Sequence, residues 1–187
     1  MLATEFLHGQ GLGNQLFCYV TTRMLAHRHG YDFGIKGLKS AGDSRVNQKG
    51  FYFMDLDYGK EVPDDLERYD EYRHALKTDE WLRTDIRLTD KTLLNIPDNR
   101  IIYGVMQSED YFYDRLDLVK EWLKVKEEYD HMDTNGKNMC VMNFRGGDMI
   151  GNPGAYVPRV YWTNAIQKML EYNSKMEFCI VTDDVNT

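Results

Sequence analysis

The sequence predicts an α/β fold, because apolar segments of strand length alternate with segments whose apolar residues recur with the helical period. Two β-α-β units carry this prediction, one at residues 4–35 and the other at residues 139–182. In each unit the first strand leads into a loop that contains glycines. Open α/β sheets build their ligand sites at the carboxyl ends of such strands.

The first unit has a strand, a turn, a helix and a second strand. We predict a strand at residues 4–8, a helix at residues 14–29 and a strand at residues 31–35. Apolar residues with helical spacing define the inward face of the helix, namely Leu16, Phe17, Val20, Met24 and Leu25. Gly30 follows the basic last turn and is expected to cap the helix.

The middle of the sequence is more polar. Residues 37–60 are expected to be loop with short strands, and residues 61–95 helical in pieces, with the run EVPDDLERYDEYRHALK forming a solvent-exposed helix face. A buried strand is predicted at residues 101–107, followed by Ser108 as the N-cap of a helix. The apolar stripe of that helix consists of Phe112, Leu116, Val119 and Leu123.

The second unit follows a turn at residues 133–137, which is the expected boundary between a domain at residues 1–136 and one at residues 137–187. Its elements are a strand, a long loop, a helix and a strand, predicted at residues 139–144, 145–158, 161–172 and 178–182. The residues of this helix expected to face inward are Trp162, Ala165, Ile166 and Met169.

Composition restricts the class of protein. With 187 residues, 42% of them hydrophobic, the chain can bury a core. Its net charge of −7 argues against a nucleic-acid-binding surface, which needs a basic face. No stretch resembles a transmembrane helix or a signal peptide, so we expect a cytoplasmic protein, with peripheral membrane association left open. The cysteines Cys18, Cys140 and Cys179 lack zinc-site spacing and are expected to be buried, reduced thiols.

The turn HGQGLGNQLFCYV, residues 8–20, stands where a dinucleotide-binding loop would stand, but its glycines have the wrong spacing. Counting from Gly9, the third glycine of G-x-G-x-x-G is replaced by Asn14, and no G-K-[ST] follows. Such a turn still presents backbone N–H groups, and Asn14 and Gln15 add amides that could hold a hydroxyl or a phosphate oxygen. The alternative is that Asn14 caps the helix and binds no ligand.

A second cluster, NFRGGDMIGN at residues 143–152, leads from the strand of the second unit into its loop. Arg145 beside Gly146 and Gly147 suits a diphosphate, since a guanidinium grips two oxygens and glycines expose backbone N–H groups. The alternative is a surface arginine paired with Asp148.

Four segments, in the same order, resemble the alpha-1,2-fucosyltransferases of glycosyltransferase family 11. GLGNQLF is similar to the family's opening motif, G-x-G-N-Q-x-F, and YGVMQSEDYF is similar to its central motif, G-[YF]-x-Q-S-x-x-Y-F. NFRGGDMIGN resembles its H-x-R-R-G-D-x-x-x-N motif, and VTDD its [ST]-D-D after the next strand. The segments begin at Gly11, Tyr103, Asn143 and Val181.

The resemblance implies a GT-B architecture, in which two Rossmann-like domains face each other across a cleft and the C-terminal domain holds most of the nucleotide sugar. The first β-α-β unit of that second domain would be present here. The implied reaction is the metal-independent, inverting transfer of L-fucose from GDP-fucose to a glycan acceptor, often the 2-hydroxyl of terminal galactose, giving an alpha-1,2 linkage. GDP-fucose is a substrate, and no cofactor is implied.

The resemblance also implies roles for individual residues. Arg145 would neutralise the departing diphosphate and Asn14 would reach the sugar or the diphosphate, so these are the expected catalytic residues. Asp183 and Asp184 would lie near the nucleoside and would bind no metal. The residues expected at the donor are Gly11, Gly13, Gln15, Asn143, Gly147, Asp148, Asn152, Asp183 and Asp184.

Two departures from the family pattern matter for the reaction. Asn143 replaces the motif histidine and keeps hydrogen-bonding capacity without a proton-shuttling role, while Gly146 replaces the second arginine and removes a positive charge. Residues 138–187 are shorter than a complete domain of about 100 residues, so we expect a fragment of a longer protein or a degenerate donor domain. A non-catalytic carbohydrate- or nucleotide-binding protein is the alternative function.

Overall fold

A computed structural model of the protein describes residues 1–6, 11–36, 53–71, 89–130, 138–144 and 157–182. The protein divides into two compact units, unit 1 (Met1–Asp130) and unit 2 (His131–Thr187). The turn predicted at residues 133–137 lies outside the described residues.

The described part of unit 1 is built on parallel strands. They are β1 (Leu2–Glu5), β2 (Phe33–Lys36), β3 (Glu67–Asp70) and β4 (Arg100–Tyr103). The strands form one four-stranded sheet in the order β2-β1-β4-β3. This confirms the α/β class, and the sheet with its helices is compatible with a Rossmann-like fold.

Helix α1 (Leu12–His29) connects β1 to β2. It begins earlier than predicted, with Gly11 at the N-cap position, so Asn14 lies inside the first turn and the interpretation of Asn14 as the cap is wrong. Gly30 adopts a φ of 70°, and its N–H donates to the last carbonyl groups of the helix. The predicted C-cap is therefore confirmed, because only glycine enters this left-handed conformation without steric cost.

The core of unit 1 lies between α1 and the sheet, since α1 contacts both β1 and β2. Burial of each large apolar side chain stabilises the fold by about 1.5–3 kcal/mol. The largest fully buried apolar residues are Leu2, Tyr19, Met24, Leu25, Leu93, Ile96, Ile102, Met106 and Tyr111. This packing holds α1 against β1 and β2.

Strand β3 corrects the prediction of a solvent-exposed helix in the charge-rich run. It lies at the edge of the sheet, where charged residues such as Glu67 and Arg68 are tolerated because one side of the strand faces solvent. An edge strand of this kind has no apolar run by which the sequence could show it. Residues 72–88 of the same region lie outside the described part.

Strand β4 ends at Tyr103, before the predicted end at residue 107. Gly104 follows, and Met106 adopts a left-handed φ of 45°, so the extended backbone cannot continue. The segment from Gly104 to Ser108, which we call the β4 turn, therefore leaves the sheet at the carboxyl end of β4.

Ser108 is confirmed as an N-cap, because its Oγ accepts a hydrogen bond from the backbone N–H of Asp110 at 3.3 Å. The helix expected after it is instead two short 3₁₀ turns followed by α2 (Leu116–Trp122). Leu116 is 48% exposed, so the predicted stripe is wrong at this position, and Trp122 packs into the core instead. No helix within the described ranges is long and apolar enough to cross a bilayer.

Unit 2 contains, in its described part, β5 (Met139–Phe144), α3 (Arg159–Tyr172) and β6 (Glu177–Thr182). Strands β5 and β6 pair in parallel along their full length, which confirms the second β-α-β unit. The helix residues predicted to face inward are partly buried, namely Trp162, Ala165, Ile166 and Met169.

The three cysteines differ in exposure. Cys18 is buried against the core, Cys140 is partly buried and Cys179 is exposed, and no disulfide joins any two of them. The predicted burial is therefore wrong for Cys179. It is opposite Val141 in the β5–β6 register, and both residues are on an exposed face of this short sheet.

Candidate functional site

The carboxyl ends of β1 and β4 are adjacent in unit 1. In the sheet order β2-β1-β4-β3, β2 lies on one side of β1 and β4 on the other, so the segments that follow β1 and β4 leave the sheet next to each other. Open α/β sheets bind ligands outside the carboxyl ends of their strands. The residues that follow β1 and β4 are therefore the first candidates for a site.

The first turn of α1 stands at this edge. The N–H of Gln15 donates to the carbonyl oxygen of Gly11 at 3.1 Å, which is the first hydrogen bond of the helix. The backbone N–H groups of the residues before Gln15 therefore have no acceptor within the helix. Apart from the chain neighbours and the backbone of α1 itself, no atom of the described residues lies within 4 Å of the position that a Cβ would take on Gly11 or on Gly13. The turn also carries no acidic residue, so its partial positive charge favours an anion.

Asn14 in this turn is joined to Gln107 in the β4 turn. The side-chain Nε2 of Gln107 donates a hydrogen bond to Oδ1 of Asn14. This bond fixes both amide orientations, so the groups left for a ligand are the Nδ2 donor of Asn14 and the Oε1 acceptor of Gln107. A donor and an acceptor side by side suit a sugar hydroxyl, or a hydroxyl next to a phosphate oxygen.

Gln107 has no assigned role in the sequence-based site. It belongs to YGVMQSEDYF, the second of the four segments that carry the resemblance. A glutamine just before the N-cap serine, at the carboxyl end of a buried strand, is the signal that could have marked it. Its partner could not be found in the same way, because the two residues are 93 positions apart.

The β4 turn is held by contacts from α1. The Cys18 thiol donates to the carbonyl oxygen of Gly104 at 3.4 Å, and the Thr22 hydroxyl lies 4.0 Å from the Met106 sulfur. Within the turn, the N–H of Ser108 donates to the carbonyl oxygen of Met106 at 2.9 Å. Gln107 lies between these two residues, so the same contacts fix its backbone.

A buried carboxylate holds the other side of the β4 turn. Glu71 follows β3 directly and is 4% exposed. Its Oε2 accepts hydrogen bonds from the N–H groups of Val105 at 3.3 Å and Met106 at 3.5 Å. Burial raises the pKa of Glu71, although these N–H groups act in the opposite direction. Glu71 lies in the run predicted to be solvent-exposed, so that prediction is wrong for this residue.

A second cluster lies at the ends of β1, β4 and β3. Tyr103 donates to the Glu5 carboxylate, and the Arg68 guanidinium lies 4.0 Å from the centre of the Tyr103 ring. Arg68 in turn donates to Asp70 at 2.6 and 2.9 Å. Burial, aided by the bond to Glu5, raises the pKa of Tyr103 to about 12, so its hydroxyl is a neutral donor at pH 7. These groups bind one another and tie the three strand ends together.

Gln15 is next to Asn14 but is 1% exposed. Its side chain therefore contacts the protein interior, and its role at the donor stays a prediction. Gly13 is exposed and Gly11 partly exposed, so the backbone of the turn, not the Gln15 amide, faces the edge of the sheet.

In unit 2, the two motif segments leave from neighbouring strand ends. Asn143 is opposite Val181, and Phe144 is opposite Thr182, at the carboxyl ends of β5 and β6. Asn143 is exposed. Six other predicted residues lie outside the described part, namely Arg145, Gly147, Asp148, Asn152, Asp183 and Asp184.

Among the described residues, no three His, Cys, Asp or Glu side chains are grouped so that they could hold a metal ion. Comparisons with protein-family models, with curated proteins and with solved structures give no match to this protein. We therefore infer its function from the geometry of the site and from the resemblance of its segments.

Proposed function

We propose that the protein is a glycosyltransferase that moves L-fucose from GDP-fucose to a galactoside hydroxyl, with inversion and without a metal ion. The observation that carries the proposal is the hydrogen bond between Asn14 and Gln107. These residues come from two different segments of the fucosyltransferase resemblance, and they meet at the edge of a parallel sheet where ligands bind.

The chemistry of the reaction fits the groups at this edge. In an inverting transfer the acceptor hydroxyl forms a bond to the anomeric carbon while the bond from that carbon to the phosphate oxygen breaks. The acceptor proton leaves with a base, and negative charge develops on GDP. The Nδ2 of Asn14 and the first turn of α1 offer hydrogen-bond donors and partial positive charge to such a group.

Arg145 would supply the main positive charge on the nucleotide side. It follows β5 directly, and Asp183 follows β6, so both segments begin at neighbouring strand ends of unit 2. A GT-B arrangement, with unit 2 as the start of the nucleotide-sugar domain, is part of the proposal. In that arrangement Arg145 neutralises the leaving diphosphate without a metal.

A protein that binds the nucleotide sugar or a glycan without transferring fucose is the second candidate. It is favoured by Asn143 and Gly146, which stand where the family motif has a histidine and a second arginine. Both changes remove groups that could assist the reaction, while asparagine still binds oxygen atoms. The two candidates therefore differ in turnover and share the binding of GDP-fucose.

Release of GDP from GDP-fucose, with and without lactose as acceptor, tests the proposal in the full natural polypeptide that carries this sequence. We expect Arg145→Ala to lower the rate by about 100-fold or more, as for the loss of one charge-stabilising donor. Lys168→Ala removes the same charge from an exposed position of α3 and should leave the rate unchanged.

Binding of GDP-fucose is measured in parallel by calorimetry. Binding without turnover would support the second candidate. An Arg145→Ala variant with the wild-type rate would overturn the assignment of Arg145. Absence of both binding and turnover in the wild type would contradict both candidates.

A further inference from the structure

We infer that Glu71 is a positioning residue for the Asn14–Gln107 pair, because its carboxylate holds the β4 turn in the conformation that brings Gln107 to Asn14. The link to fucose transfer rests on the proposed function. The positioning itself is a property of the protein without any ligand.

The carboxylate of Glu71 occupies the space that a side chain on residue 104 would fill, because residue 104 is a glycine. A Cβ added to Gly104 would lie 2.8 Å from the Cβ of Glu71 and would overlap its Oε2. Glycine at this position therefore lets the carboxylate approach the backbone of the β4 turn. From there, Oε2 accepts the N–H groups of Val105 and Met106.

The backbone at Met106 requires such support. Its φ of 45° is in the left-handed region, which costs free energy for any residue with a Cβ. Met106 is fully buried, so its N–H would lose hydrogen bonding if Glu71 did not accept it. Gln107 follows immediately, so the conformation of Met106 sets the direction in which Gln107 leaves the turn.

Glu71 acts on the site through this backbone and not by contact with a ligand, since only 4% of it is exposed. In the described part of the chain, the ionisable groups that interact electrostatically with Glu71 are acidic or phenolic, namely Asp90, Tyr69 and Tyr111. An ionised carboxylate is costly to bury in these surroundings, whereas a methionine of similar size would fill the space without that cost. What methionine cannot supply is the acceptor for the two N–H groups.

Two substitutions of similar volume separate the acceptor from the packing. Glu71→Gln keeps a side-chain oxygen that can accept, and Glu71→Met removes it. Asp90→Asn is the matched control, since Asp90 is a second buried carboxyl among the described residues and binds Tyr69 and the N–H of Thr92. Neither of these side-chain bonds involves the β4 turn.

The first readout needs no ligand. In Glu71→Met we expect amide hydrogen exchange at Val105 and Met106 to accelerate by about 10-fold, the effect of losing one hydrogen bond. The Gln107 side-chain NH₂ resonances should move to the positions of a free amide. Glu71→Gln and Asp90→Asn should keep both properties of the wild type. The inference is overturned if Glu71→Met leaves them unchanged, or if Asp90→Asn alters them equally.

The second readout is kcat/KM for fucose transfer. We expect Glu71→Met to lower it by about 10-fold, with Glu71→Gln within about twofold of the wild type. In a Gln107→Ala background the effect of Glu71→Met should vanish, because Glu71 acts through Gln107. If the two single variants' fold-losses in kcat/KM multiply in the double variant, Glu71 does not act through Gln107 and the inference is contradicted. A wild type without turnover would refute the proposed function alone, since the resonance and exchange measurements still decide the positioning.

Discussion

Gln107 donates a hydrogen bond to the side-chain oxygen of Asn14 and thereby joins the first turn of α1 to the β4 turn. The two residues are distant in sequence but follow adjacent parallel strands, so the order of the sheet brings them together. Their shared bond uses one acceptor and one donor, and it directs the remaining donor and acceptor to the edge of the sheet. Substitutions that change a single donor or acceptor of the Asn14–Gln107 pair therefore test its role most directly.

Asn14→Asp tests the donor of this pair. Aspartate keeps the oxygen that accepts from Gln107, so the fold should be retained, and a negative charge in the first turn of α1 stabilises the helix by about 0.3–1 kcal/mol. The Nδ2 donor is lost, and the new charge repels a diphosphate. We expect an unchanged or higher melting temperature and a rate of GDP release lower by about 100- to 1000-fold. A rate close to that of the wild type would show that Nδ2 of Asn14 does not contact the reacting groups.

Gly13→Ala separates stability from ligand approach. Gly13 lies in the first turn of α1, and an added Cβ would meet no atom of another described element within 4 Å. Alanine should stabilise the protein by about 0.5–1 kcal/mol, because glycine loses more conformational entropy in a helix. If the donor lies against this turn, the same methyl group should weaken GDP-fucose binding. Thermal unfolding and calorimetry measure the two effects, and unchanged affinity would argue against Gly13 as a donor contact.

Gly104→Ala should have the opposite effect on stability. Its Cβ would lie 2.8 Å from the Cβ of Glu71, so the β4 turn and β3 must move apart. We expect a loss of about 1–3 kcal/mol in the free energy of unfolding, the usual cost of overpacking. Denaturant unfolding measures it, with Gly13→Ala as the control for the same chemical change. A combined Gly104→Ala and Glu71→Ala variant should lose less than the sum, since the second change removes the clash.

The parts of the fold with local signals could be predicted from the sequence. Helix α1 has apolar residues at helical spacing and is capped by Gly30, and each of these signals can be found within a short stretch of sequence. The β5-α3-β6 unit has the same kind of local periodicity. Strand β3 could not be predicted, because an edge strand needs no apolar run and its neighbours in sequence are acidic.

The candidate site was predictable only in its separate parts. The resemblance marked Asn14 and the segment that contains Gln107, but their contact depends on β1 and β4 being neighbours in the sheet. Glu71 had no signal at all, since nothing in a charge-rich run shows which carboxylate is buried. Glu71 is buried because it directly follows β3, beside the β4 turn, and because Gly104 has no Cβ that would occupy the same space.

The pH dependence of stability should carry the signature of Glu71. Burial, together with the nearby Asp90, raises the pKa of Glu71 in the folded protein, whereas the unfolded protein keeps the ordinary value. Between these two values the folded protein binds more protons than the unfolded protein, so stability falls as pH rises. The stability linked to protonated Glu71 is complete below the ordinary pKa and is lost as pH rises through the raised one.

Glu71→Gln removes this titration while leaving every other ionisable group in place. The difference in unfolding free energy, variant minus wild type, should therefore grow in favour of the variant as pH rises from the ordinary glutamate pKa through the raised one. Urea unfolding at several pH values measures it, with Glu121→Gln as the control, because it makes the same chemical change at an exposed carboxyl of α2. A difference that stays constant with pH would mean that Glu71 keeps its ordinary pKa in the folded protein. The Glu71 carboxylate would then be ionised at pH 7. Its hydrogen bonds to the N–H groups of Val105 and Met106 would offset the free-energy cost of burying the charge.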